Sequence, residues 1–185
     1  MNLFETKLKF DTKLLEFLLQ LEDQILKLPC SSKVITDNML DRWPEYNIFM
    51  FPNNYLHNLF IQLVHTIYDY RSKINYSTEP LFLHAWLNIV YKNTKIPYHK
   101  HRENVISGYI YLSPEPTYTY FYEEDKKVTI ENVQGKTVMF NVPCYHESSM
   151  WNFDTPRISL GFDVIPTNVF YDQEWPYKST KGIPI

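Results

Sequence analysis

The stretch Ile106-Ser107-Gly108-Tyr109-Ile110-Tyr111-Leu112-Ser113, then Pro114-Glu115-Pro116, then Thr117-Tyr118-Thr119-Tyr120-Phe121-Tyr122-Glu123 decides the fold class. Aromatic and β-branched side chains repeat with a period of two, which fits half-buried pleated strands. The two prolines cannot join a hydrogen-bonded ladder and mark the turn between the strands. The same period runs outward from residue 80. It gives candidate strands Leu81–Tyr91, Pro97–His101, Ile106–Ser113, Thr117–Glu123, Val128–Glu131, Thr137–Val142, Arg157–Val164 and Val169–Glu174. Lys92-Asn93, Asp125-Lys126, Gln134-Gly135 and Pro143 supply further turn signals. Strands this short at this spacing form a sandwich or barrel, and a jelly roll is the commonest closed form with such a strand count.

The first part of the chain has a helical period instead. Leu14, Leu15, Phe17, Leu18, Leu21, Ile25 and Leu26 come after the capping oxygens of Asp11-Thr12 and stop before Pro29. A second amphipathic stripe begins after Asn53-Asn54 and runs through Leu56, Leu59, Phe60, Leu63, Val64, Ile67 and Tyr68. Between them, Ser31 to Pro52 reads as a loop with a short strand at Ile48-Phe49-Met50-Phe51. The expected architecture is mainly β with flanking α. A jelly-roll core (80–175) carries the N-terminal helices (1–79) packed on it and ends in a tail (176–185), all in one domain.

Composition narrows the function classes. A chain of 185 residues has the size of one domain, and 44% apolar content is enough for a packed core. Aromatics reach 17% while Gly numbers only 4, so Asn, Asp and Pro must make most turns. A formal net charge of -3 lacks the electrostatic footprint of a general nucleic-acid binder. No apolar run approaches the ~20 residues of a membrane-spanning helix, and the start lacks the basic-then-apolar order of a secretory signal. Two cysteines, Cys30 and Cys144, exclude a disulfide framework. The expected location is therefore the cytoplasm, with no membrane partner; the sequence leaves room for a homo-oligomer.

Of six histidines, His57 and His65 lie on the second helix and read as ordinary surface or satisfied imidazoles. His84, Trp86 and Asn88 share one strand face, for which packing is the simplest account. The pair His99-Lys100-His101 is different. Residues two apart on an extended chain point the same way, so both rings can converge on one point. Imidazole suits Zn, Cu, Fe and Ni, and His146 is the remaining histidine of the β region. Arg157 and Ser159 then begin another strand on one face. A guanidinium buried in a barrel needs an anionic partner, and Arg is suited to holding a carboxylate bidentately.

Taken in order, Trp86-Leu87-Asn88, His99-Lys100-His101, Ser107-Gly108-Tyr109-Ile110-Tyr111-Leu112, Gly135 before Met139-Phe140, His146 and Arg157-Ile158-Ser159 resemble the 2-oxoglutarate/Fe(II)-dependent oxygenases. More narrowly, they resemble the small group of these common in tailed bacteriophages and marine bacteria, which would put the protein in a host's cytoplasm if phage-encoded. The resemblance spans Trp86 to Val164. It implies a double-stranded β-helix in which His99, His101 and His146 are the catalytic metal ligands for Fe(II). It also implies that Arg157 and Ser159 take the distal carboxylate of 2-oxoglutarate, with Tyr111 as a hydrogen-bond partner. Asn88 would contact the co-substrate or a metal-bound water. The reaction implied is hydroxylation of a substrate by O2, with decarboxylation of 2-oxoglutarate to succinate.

The usual triad of that superfamily is two histidines and one carboxylate, whereas His101 stands in the carboxylate's place here. Glu103, which makes His101-Arg102-Glu103 an HxE, is the second-ranked ligand. Two other classes stay open: a cupin-like three-histidine metalloenzyme that does not use 2-oxoglutarate, and a catalytically inactive jelly-roll binding or structural module. Cys144 and His146, two apart on a turn, are poorly placed as a nucleophile–base pair. The plainer alternative for Arg157 is a pairing with Asp154 or Asp163 as a surface bridge of small value.

Overall fold

A computed structural model describes residues 3–29, 39–101, 103, 105–123, 126–141, 144–172 and 181–185. Among these residues, ten strands form two antiparallel sheets. The strands are β1 (Leu3–Lys7), β2 (Leu81–Val90), β3 (His99–Lys100), β4 (Ile106–Tyr111), β5 (Thr117–Glu123), β6 (Lys126–Asn132), β7 (Lys136–Asn141), β8 (Tyr145–Ser148), β9 (Arg157–Pro166) and β10 (Ile183–Pro184). The larger sheet has the order β1-β7-β4-β9-β2-β10, and the smaller β3-β8-β5-β6.

The helices are α1 (Lys13–Leu26), α2 (Asn54–Lys73) and the single turn α3 (Thr167–Phe170). Asn53 starts α2 by accepting from the backbone N–H of Tyr55 at 2.8 Å and of Leu56 at 3.2 Å. At α1 the Asp11 carboxylate, rather than Thr12, accepts from the first helical N–H, that of Lys13, at 2.9 Å. Leu14, Leu18, Leu21 and Ile25 of α1 and Leu56, Leu59, Leu63 and Ile67 of α2 are buried in one cluster with strand residues Leu83, Leu87, Leu160 and Phe162. No helix among the described residues is long and apolar enough to cross a membrane.

All ten residues of β9 are buried. Its even-numbered positions Ile158, Leu160, Phe162 and Val164 belong to the cluster that holds the helices. Its odd-numbered ones, Arg157, Ser159, Gly161 and Asp163, therefore face the other way, between the sheets. There Tyr109, Tyr111, Val138 and Phe140 of the larger sheet meet Phe121 and Ile130 of the smaller in a second cluster.

Five segments differ from the sequence reading. Leu3–Lys7 is an edge strand pairing with β7 from Leu3↔Phe140 to Lys7↔Lys136, so the N-terminal part is not wholly helical. Ile48–Met50 is a 3-10 turn rather than a strand, because the Asn47 side chain caps it by accepting from the Phe49 N–H at 3.1 Å. Val169 and Phe170 belong to α3, not to a strand; of the rest of that candidate, 173–174 lie outside the described residues. The chain's last described residues are more than a tail: Ile183 and Pro184 pair with Leu83 and Phe82. Tyr145–Ser148, absent from the candidate strands, is strand β8. Residues 31–38 of the expected loop, Cys30, Arg102 and Pro143 lie outside the described residues.

Candidate metal centre

β3 and β8 pair so that His99 lies directly opposite His146, and β5 sets Phe121 opposite His146 on the other side. His101 comes just after β3 with the same parity as His99. One ring nitrogen from each of His99, His101 and His146 falls within 4.8 Å of the others. The ring centroids are 5.3 Å (99–101), 4.2 Å (99–146) and 5.1 Å (101–146) apart. Among the described residues this is the group able to hold a metal ion. Glu103 lies exposed in a turn outside it.

Each ring turns its Nδ1 toward an acceptor. His99 Nδ1 is 2.7 Å from the Pro97 carbonyl, and His101 Nδ1 is 2.8 Å from the Asp163 carboxylate. His146 Nδ1 is 3.5 Å from the Cys144 carbonyl. An Nδ1–H donated in this way fixes the tautomer that leaves the Nε2 lone pair for a metal. Burial pushes the pKa of both His99 and His146 below the ordinary histidine value, and neighbouring rings push His146 further. Neutral imidazoles are the form that ligates.

The cavity beside these rings holds about 70 Å³, several times the space one water needs. β9 supplies one wall with Arg157, Ser159 and Gly161, and β2 adds Trp86 and Asn88. The register explains the gathering. Ser159 lies between Asn88 and Tyr111, Gly161 between Trp86 and Tyr109, and Asp163 between His84 and Ser107. Gly161 is required there, since a Cβ would meet the Trp86 indole at 2.6 Å.

Arg157 is 2% exposed, yet its Nε and Nη1 have no hydrogen-bond partner among the described residues. Burial lowers its pKa, with Tyr111 and Tyr109 acting in the opposite sense. Its guanidinium lies 5.5 Å from the centre of the Tyr111 ring, a cation–π contact that orients it without satisfying its donors. The Oδ1 of buried Asn88 is also without a partner among the described residues. Unpaired buried polar groups of this kind are costly, and they fit an anion at Arg157 and a donor such as water at Asn88. Tyr111 does not line the cavity; its hydroxyl donates to the Glu115 carbonyl. Tyr109 does line it, with its hydroxyl donating to Asn132 Oδ1 at 2.8 Å.

Arg157 makes no surface bridge. Asp154 pairs with Lys92 at 2.6 Å on the exterior, while Asp163 is buried and bonded to His101. Sequence reading missed this role of Asp163, although its parity with Arg157 and Ser159 on one strand was visible. His84 is a satisfied core residue, its Nε2 2.9 Å from the Trp43 carbonyl. His57 and His65 are exposed on α2. Burial raises the Cys144 thiol to about 11, which suits a packed side chain rather than a nucleophile.

No protein-family model and no curated protein matches the sequence. Among solved structures, the chain is similar to the non-heme alpha ketoglutarate dependent carbocyclase SnoK from nogalamycin biosynthesis. That match has a TM-score of 0.56 and 8% identity over 89% of this chain and 79% of the other. A prolyl-4-hydroxylase from Pseudomonas putida gives a TM-score of 0.52 and 11% identity, over 89% of this chain and 85% of that one. The match to an oxidoreductase of the 2OG-Fe(II) oxygenase family from Burkholderia pseudomallei spans 48% of this chain and 47% of that one, with 14% identity and a TM-score of 0.44. Identities this low speak to architecture alone. The chain shares its jelly-roll fold with the carbocyclase and the prolyl-4-hydroxylase.

Proposed function

We propose that the protein is a 2-oxoglutarate- and Fe(II)-dependent oxygenase that hydroxylates a substrate while 2-oxoglutarate is decarboxylated to succinate. The observation that carries this reading is the buried Arg157 guanidinium, with two unpartnered nitrogens, in the same cavity as three converging imidazoles. A three-histidine metalloenzyme whose substrate and co-substrate both lack an anionic group would give that guanidinium nothing to bind. Kinship with the small phage and marine-bacterial group rests on the motifs alone.

His99, His101 and His146 would hold Fe(II), and burial favours the neutral, ligating form of His99 and His146. Arg157 would take the far carboxylate of 2-oxoglutarate with a hydroxyl contact from Ser159. Tyr111 would hold the guanidinium through its ring, and Asn88 would receive a hydrogen bond from a bound water. Bound Fe(II) and 2-oxoglutarate together supply the O2-dependent oxidising chemistry. The residues of the chain bind, orient and exclude water, the last through the Trp86, Phe121 and Phe140 rings packed against the histidines.

Anaerobic spectroscopy tests metal and co-substrate together. Adding 2-oxoglutarate to the Fe(II) protein should produce a weak visible charge-transfer band, and admitting oxygen should produce succinate. A protein that binds Fe(II) but shows neither band nor succinate would refute the reading.

A further inference from the structure

The three rings differ in their hydrogen-bond partners on the side away from the cavity. His99 and His146 face backbone carbonyls, those of Pro97 and Cys144, which are neutral acceptors. His101 faces a carboxylate, Asp163 Oδ1 at 2.8 Å. The same oxygen accepts from Ser107 Oγ at 2.5 Å. Ser107 is fully buried and lies directly across from Asp163 on β4. Two donors on different elements therefore converge on one carboxylate oxygen, which leaves little freedom to swing.

A carboxylate in this position carries a cost. Asp163 is 9% exposed, and a charge buried to that extent is costly unless it is hydrogen-bonded. The two hydrogen bonds received on Oδ1, from His101 and Ser107, compensate for that burial. A neutral amide would accept the same two hydrogen bonds without the desolvation penalty. The charge thus needs a reason that packing does not supply, and the nearest group it can act on is the His101 ring.

We propose that Asp163 is a positioning residue that fixes the Nδ1–H tautomer and orientation of His101 and lends its negative charge to the metal through that ring. The inference rests on the reading of the three histidines as a metal centre. A triad of three neutral imidazoles leaves a divalent ion with its full charge. A carboxylate one hydrogen bond behind a ligand makes the ring a stronger donor and returns part of the missing negative charge. Ser107 sets the angle at which the carboxylate meets the ring.

The test uses anaerobic Fe(II) titration of the full chain, with the Fe(III)/Fe(II) potential of the loaded protein as a second readout. Asp163→Asn keeps size and an acceptor toward His101 while removing the charge. It should raise the Fe(II) Kd about tenfold or more and shift the potential to more positive values. A wild-type Kd and potential in Asp163→Asn would overturn the inference and leave the metal centre standing. Failure of the wild type itself to bind Fe(II) would overturn both. Should Asp163→Asn not fold, Ser107→Ala decides: it should weaken Fe(II) binding in the same direction by a smaller factor, and an unchanged Kd there would be equally fatal.

Discussion

His99 on β3 and His146 on β8 are direct cross-strand partners, with ring centroids 4.2 Å apart. A ladder therefore holds two of the three rings, and only His101 sits beyond the end of its strand. Removing His146 should abolish metal binding while sparing the sheets, since its backbone stays paired with β3 and β5. The lost ring packs on Phe121 and Phe140, so His146→Ala should also cost about 1–3 kcal/mol of stability. Metal analysis after anaerobic loading checks the first point and denaturant unfolding the second. Full iron occupancy in this variant would refute the assignment.

Arg157 should be a liability in the free protein and an asset in the bound one. Its Nε and Nη1 are buried without a hydrogen-bond partner among the described residues. Replacing it by Met, of similar reach and no charge, should leave the unliganded protein as stable or more stable. The same change should remove the stabilisation by 2-oxoglutarate, which for the wild type is about 2.7 kcal/mol when ligand is at a hundred times its Kd. Thermal unfolding of both proteins, with and without 2-oxoglutarate, separates the effects. Equal stabilisation of Arg157→Met would show that the carboxylate binds elsewhere.

Local pattern reveals an element only when the groups that decide it lie nearby in the chain. Thr117, Thr119 and Phe121 are buried and alternate with exposed or half-buried neighbours, because the other face of β5 is turned toward solvent, and that pattern is plain in the sequence. β1 was invisible: five residues, three of them polar, form a strand only because β7, more than a hundred positions away, offers an edge. The Ile48–Met50 turn looked like a strand from its apolar content, yet a side-chain cap from Asn47 decided otherwise. The site was legible where spacing alone carries it, as in His99 and His101. Asp163 was not, because a charge in an apolar strand has meaning only once the opposite residues, His84 and Ser107, are known.

Acid should loosen the metal-free fold through its buried imidazoles. Burial holds His99, His146 and His84 below the ordinary histidine value of 6.5. A folded pKa below the unfolded one means that the unfolded chain binds more protons over that interval, so stability falls as pH falls. The contribution is complete above about pH 6.5 and is lost on the way down to the folded values. Denaturant unfolding of the metal-free protein at pH 7.5 and pH 5.0 should show the lower stability at pH 5.0. Substituting His146 should diminish the difference. A flat profile across this window would mean the rings titrate normally and are open to water.

The contact between Gly161 and Trp86 ties the strand pairing to the metal ligands. The indole lies across the glycine, its cross-strand partner, and stacks on His101 with centroids 5.9 Å apart. A methyl group at position 161 would come within 2.6 Å of the indole, closer than such atoms approach, so the ring must move. The space on its far side is taken by Trp43 and His84, at 5.4 and 5.5 Å. The displacement should therefore be directed at His101 and the cavity. Gly161→Ala is expected to lose about 1–3 kcal/mol through overpacking and to weaken Fe(II) binding in parallel. A double variant, Gly161→Ala with Trp86→Phe, gives the ring room and should recover metal affinity. Recovery would identify the indole as the link; a deficit that persists in the double variant would place the fault in the β9 backbone instead.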